Sequence, residues 1–293
     1  MRSSNPFMSS LAQSEGTAQG QRGPSAAYQQ GYQSAGEQWG QQDQQGMAYQ
    51  QSPNYGASTS ASDRPMTIDD VVTKTGITLA VIVVLAAVNF MIGQSNPSLA
   101  MGLTFVGAIG GLIAVLVSAF GKKYGSPVVT LVYAAFEGLF VGGFTYMFTD
   151  VYISETANAG AMIFQAVLGT IGVFVGMLVV YKTGAIRVTP KFTKMLVGAM
   201  IGVLVLVLGN FVYSLFTGEA SMLRDGGPIA IIFSLVCIGL AALSFLADFD
   251  QADKLIRAGA PSRYAWGVAL GLAVTLVWLY TEILRLLSYF NRD

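Results

Sequence analysis

Six side chains able to carry charge or hold a proton lie inside or at the edge of long apolar stretches. Glu137 stands in the middle of one, in Tyr133-Ala134-Ala135-Phe136-Glu137-Gly138. Asp248, Asp250 and Asp253 cluster where another ends, and Glu282 and Arg285 sit in the last third of the final one. Asn89, Gln165 and Asn210 add neutral polar groups. A charge near the centre of a bilayer costs at least about 2.5–3.5 kcal/mol on insertion scales, so acids in such places are functional candidates. Two carboxylates close together in a low dielectric resist joint ionisation, which makes a pair of them a proton sensor. Glu137, Asp248, Asp250 and Glu282 are also the oxygen ligands that calcium prefers. Each has a plainer reading beside this one. The aspartate cluster reads equally as a solvated helix end, although negative charge is disfavoured there. Glu282 and Arg285, spaced i, i+3, read as a pair. Glu137 has no opposite charge in its own span. It must be protonated, paired across helices or in contact with water.

The composition removes several other chemistries. The 293 residues include no histidine and one cysteine, Cys237. A zinc protease of the HExxH kind has no ligands, and a Ser–His dyad has no base. An intramembrane aspartyl protease needs two facing aspartates, whereas these lie together at one helix end. The chain is therefore expected not to be an enzyme and to hold no cofactor, with calcium entering only as a transported ion. A formal net charge of zero gives no basic field for nucleic acid.

The elements that must position these groups are transmembrane helices. Only 11% of the residues are charged, against roughly 25% in soluble domains. Seven apolar runs, at about 75–93, 98–120, 127–149, 158–181, 195–217, 228–247 and 265–288, each approach the 20 or so residues that span a bilayer. Thr67 can cap the first helix, with Asp69 and Asp70 suiting its first turn. Gly107/Gly111, Gly138/Gly142, Gly172/Gly176, Gly198/Gly202 and Gly267/Gly271 are spaced to let backbones approach within one bundle, and a monomer is expected. Residues 1–65, rich in Gln, Gly, Ser and Tyr, show no apolar period and are expected to be a disordered tail ahead of a transmembrane domain over 66–293. Alternate connections carry the Lys and Arg residues, Lys122 and Lys123 in one, Lys182, Arg187, Lys191 and Lys194 in the next, Lys254, Arg257 and Arg263 in the last. Arg224 stands outside this alternation. The bias places the N-terminus in the cytoplasm of a multi-pass plasma-membrane protein, and seven spans place the C-terminus outside. Arg285 and Arg292 argue the other way.

The order of short motifs resembles the Bax inhibitor (transmembrane Bax inhibitor motif) family, and most of all its bacterial Bax-inhibitor-like branch. The resembling segments are Ser4-Asn5-Pro6, Arg64-Pro65-Met66-Thr67-Ile68-Asp69-Asp70-Val71, Tyr133 to Gly138, Asp248-Phe249-Asp250-Gln251-Ala252-Asp253, and Trp278-Leu279-Tyr280-Thr281-Glu282-Ile283-Leu284-Arg285-Leu286-Leu287. The resemblance implies an all-α bundle of seven helices, six around a central seventh. For some members it implies a pH-sensitive calcium leak channel. The sensor in those members is an aspartate near the end of the sixth helix facing one in the seventh. The family's spacing, counted back from Tyr264, selects Asp250, with Asp248 as the fallback. Anchoring on Leu284-Arg285-Leu286 puts Thr275 at the seventh-helix position, so that span holds no aspartate. Glu282, two turns along the same face, and Glu137 are the acids that could substitute. Arg285 and Thr275 are the gating or pairing candidates. A second reading is a non-conducting regulator that binds other membrane proteins, such as a protease or a stress-response component, through its N-terminal tail.

Overall fold

The computed structural model describes residues 64–121, 123–151, 158–217, 223 and 225–291. The expected tail lies outside these residues except for Arg64 and Pro65. Lys122, Arg224 and Arg292 lie outside them as well.

Seven long helices follow one another: α1 (Ile68–Ser95), α2 (Pro97–Phe120), α3 (Pro127–Tyr146), α4 (Ala159–Thr183), α5 (Pro190–Thr217), α6 (Pro228–Arg257) and α7 (Ala265–Phe290). All seven are long and apolar enough to cross a membrane. Local chemistry starts most of them. Thr67 and Asp70 form a reciprocal capping box at α1. Asn96, Ser126 and Asn158 accept from backbone amides of α2, α3 and α4. Pro97, Pro127 and Pro228 occupy first-turn positions, where a missing N–H costs nothing. Gly184 ends α4 in the left-handed region at φ 69°. A π-helical turn, Met147–Val151, prolongs α3.

Five of the seven helices keep within about five residues of the apolar limits, whereas α1 starts seven residues before 75 and α6 runs ten residues beyond the 247 expected from hydropathy. Ion pairs one turn apart, Asp250 with Lys254 at 2.5 Å and Asp253 with Arg257 at 2.7 Å, carry the helix past the hydrocarbon. Asp248 therefore sits in continuous helix, nine residues before its last residue, and not at a terminus.

Burial identifies the centre. In α7, 72% of the membrane window is buried, against 11% in α4 and 6% in α5. α7 packs against α6, α1, α4 and α3; α3 lies against α1 and α2, and α5 against α6. Lipid tails are as apolar as leucine, so packing and close approach hold such helices together more than the hydrophobic effect does. Glycine supplies the close approach where α3 crosses its neighbours. A Cβ on Gly107 would lie 2.5 Å from the Phe136 carbonyl, and one on Gly138 2.7 Å from that of Ile82. Gly172, Gly176, Gly198 and Gly202 have nothing within 4 Å of a Cβ position. These four correct the expectation that every glycine pair is internal glue, because α4 and α5 turn them outward.

One end of the bundle gathers the start of α1, the α2–α3 turn and the α6–α7 connection. Met66 N donates to Ala260 O at 2.7 Å, and Gln251 donates to the Tyr124 hydroxyl at 3.1 Å. The end of α4 joins them through the Tyr181 and Phe249 rings, 5.9 Å apart. This end carries the basic connections.

Candidate ion pathway

The approach of α6 to α7 brings Asp248 to Thr275. The Thr275 hydroxyl donates to Asp248 Oδ2 at 2.8 Å and also reaches the Gly271 carbonyl at 3.2 Å. Gly271 lies beside this carboxylate, where a Cβ would make ordinary contact at 3.9 Å from Asp248 Oδ1. Asp250 does not take part. Residues two apart on a helix point about 200° from each other, so only one of the two aspartates can face α7. Asp250 turns to Lys254 and is one-fifth exposed. The structure thus pairs Thr275 with the fallback aspartate.

Two cavities flank this contact. The smaller, about 150 Å³, opens at the basic end and is lined by Asp248, Gln251, Tyr124, Ser118 and Gly271. Burial, with a smaller contribution from the Asp248 charge, raises the Tyr124 phenol above its ordinary pKa, while the Gln251 bond works against the shift. The larger, about 690 Å³, lies among α3, α5, α6 and α7, with Glu137, Val274, Trp278, Glu282 and Arg285 in its walls. Thr275 follows directly on Val274 of the large cavity and comes four residues after Gly271 of the small one. Thr275 thus sits near the level where one cavity gives way to the other, a partition along α7, while Asp248 itself lines the small cavity.

Glu137 lies against α2, where a Cβ on Gly111 would be 2.9 Å from its Oε2. Tyr133, one turn earlier on α3, is buried. No cation pairs with Glu137 among the described ion pairs. Glu282 and Arg285 do pair: Arg285 Nη1 donates to both carboxylate oxygens, at 2.8 and 2.9 Å, with both side chains buried. The guanidinium also lies 5.7 Å from the Phe144 ring centroid and 6.0 Å from that of Phe148, while its Nε has no hydrogen-bond partner. Glu282 meets neither Asp248 nor Thr275 in any described bond. Asn89, expected only as a neutral polar group, is a buried hub that donates to Leu139 O at 2.6 Å and Thr104 Oγ1 at 3.2 Å.

Sequence reasoning missed Tyr124 and Gln251, because a loop tyrosine and a lone glutamine carry no spacing signal. It also missed the partner of Asp70. Arg64 binds that carboxylate through both Nη atoms, at 2.8 and 2.6 Å.

Seven membrane-crossing helices, the last of them buried against α1, α3, α4 and α6, with acids of α3, α6 and α7 turned into the interior, define a polytopic membrane protein with an ionisable core. The family model described as Bax inhibitor 1 like matches residues 5–292, nearly the whole chain, and the chain belongs to that family. No curated protein matches it.

Proposed function

We propose that this protein is a non-catalytic cation leak pathway, with calcium as its cargo, whose opening depends on the protonation of Asp248. The observation that carries this reading is the placement of the Asp248–Thr275 bond near the level where one cavity gives way to another, the two together holding four candidate groups, Asp248, Glu137, Glu282 and Arg285. A carboxylate accepting a hydroxyl hydrogen bond ties α6 to α7. Protonation removes the charge that strengthens the bond and changes what a cation meets there. Glu137 places a carboxyl group in the wall of the larger cavity, while Arg285 neutralises Glu282. The basic end of the bundle faces the cytoplasm of the plasma membrane, as the Lys and Arg bias favours.

The test is calcium flux into proteoliposomes, measured from neutral to acid pH. Wild-type protein conducts with a pH-dependent rate, and Asp248→Asn flattens that dependence. Absence of flux at every pH overturns the reading in favour of a non-conducting regulator. Orientation is checked separately in a Cys237→Ser background. An impermeant thiol reagent added to intact cells labels Asn96→Cys and spares Ser126→Cys.

A further inference from the structure

Residues 64–70 form a strap across the connection between α6 and α7. The Arg64 guanidinium grips Asp70 in a two-pronged ion pair, Nη1 to Oδ2 at 2.8 Å and Nη2 to Oδ1 at 2.6 Å. Asp70 Oδ2 also accepts from Thr67 N at 3.0 Å and Thr67 Oγ1 at 2.9 Å. Four donors thus converge on one buried carboxylate and set the path of the chain that enters α1. That chain forms an isolated antiparallel bridge, Pro65 opposite Pro261. Met66 N donates to Ala260 O at 2.7 Å, and Ser262 N donates to Arg64 O at 2.8 Å. The bonds of this bridge come from the residues flanking its centre, so Pro65 and Pro261 sit opposite each other without needing an N–H of their own. Lys74, nearly two turns into α1, adds a third tie by donating to Ser262 O at 2.5 Å. The Met66 side chain is buried in the same cluster as Phe245 and Phe249 of α6 and Ala265 and Val268 of α7.

The connection needs an external tie. It reverses at Gly259, with φ +63°, and α7 begins with no side-chain cap of its own. The strap supplies hydrogen bonds at Ala260 and Ser262, between the last turn of α6 and the first of α7. Those helices bear Asp248 and Thr275.

We propose that Arg64 and Asp70 are a positioning pair: through the bridge at Pro65 and Pro261 they hold the α6–α7 connection, and with it the spacing of Asp248 and Thr275. This rests on the proposed pathway only for its consequence in flux; the spacing itself is measurable without transport. Release of Arg64 loosens the connection and lets the two helices part at the partition.

The variant is Arg64→Ala in the full chain. Arg64 is half exposed, and Asp70 keeps its capping contacts with Thr67, so the bundle folds. Two readouts are taken in nanodiscs. Hydrogen exchange over 258–264 is expected to quicken about tenfold, as a local opening becomes cheaper. Oxidative cross-linking of an Asp248→Cys, Thr275→Cys pair in a Cys237→Ser background is expected to slow severalfold when Arg64→Ala is added. Arg64→Lys keeps the charge without the fork and should fall between wild type and Arg64→Ala in both measurements. Unchanged exchange and cross-linking overturn the inference and leave Arg64 as a surface ion pair. Faster exchange with unchanged cross-linking also overturns it, because the strap then acts on the loop alone. Loss of flux in wild type refutes the pathway but leaves both of these readouts intact.

Discussion

Thr275 stands where an aspartate would complete a pair, and it donates its hydroxyl to Asp248 across 2.8 Å. A carboxylate facing a hydroxyl differs from two facing carboxylates in one respect that matters. The hydroxyl stabilises the ionised form, whereas a second carboxylate would oppose it.

Replacing Thr275 by Val keeps the shape and removes the donor. The Asp248 carboxylate is then left without that partner, at an expected cost of about 1–3 kcal/mol in stability. Thermal unfolding in detergent reads this directly. Thr275→Asp should instead destabilise the bundle at neutral pH and recover it in acid, where the pair shares a proton. A variant whose stability is flat across that range would show that the two groups do not meet.

Asp250→Asn should leave the pH profile of any flux as it is in wild type, in contrast to Asp248→Asn. Asp250 spends its charge on Lys254 at an exposed helix face. An i, i+4 pair of that kind is worth about 0.3–0.5 kcal/mol. A flattened profile in Asp250→Asn and an unaltered one in Asp248→Asn would reverse the assignment.

Glu282→Gln leaves the buried Arg285 charge without its counter-ion, at an expected cost of about 3–5 kcal/mol. The double change Glu282→Gln with Arg285→Met removes the stranded charge and should recover much of that loss. Unfolding midpoints of the two single variants and the double variant form the cycle; additive losses would mean that the residues do not act as a pair.

Gly138→Ala drives a Cβ to 2.7 Å from the Ile82 carbonyl and 2.8 Å from Leu85 Cβ. Backbone cannot yield as a flexible side chain does, so a loss of about 1–3 kcal/mol is expected. Gly176→Ala meets nothing within 4 Å and should be tolerated. Equal effects of the two would contradict the close approach of α3 to α1.

Tyr124 lies outside the membrane-spanning helices, and burial, followed by the Asp248 charge, holds its pKa above the ordinary value of 10.0. Below that value the phenol is protonated in both folded and unfolded chains and adds no pH dependence. As pH rises past it, the unfolded chain releases the proton first, so the folded form loses stability. Tyr124→Phe should therefore lose less stability than wild type above about pH 10. A steeper loss in the variant would count against the burial.

The sequence by itself determined the seven spans, the basic end and the residues worth watching. Hydropathy over a 20-residue window depends only on composition, and Lys and Arg sort to one side for electrostatic reasons that need no packing. The i, i+3 spacing likewise brought Glu282 and Arg285 onto one helix face, where they pair at 2.8 Å. What it could not determine was rotation. Asp248 and Asp250 are equally acidic and equally placed in the chain, and which of them faces α7 depends on how α6 is turned when Phe245 and Phe249 pack against Phe174 of α4. The partners of Asp70 and Tyr124 were out of reach for a related reason. Arg64 lies six residues from Asp70 in a chain with no helical period, and Gln251 lies 127 residues from Tyr124. Contacts of that kind exist only once helices have docked, because backbone periodicity orders side chains within an element and says nothing of which elements meet.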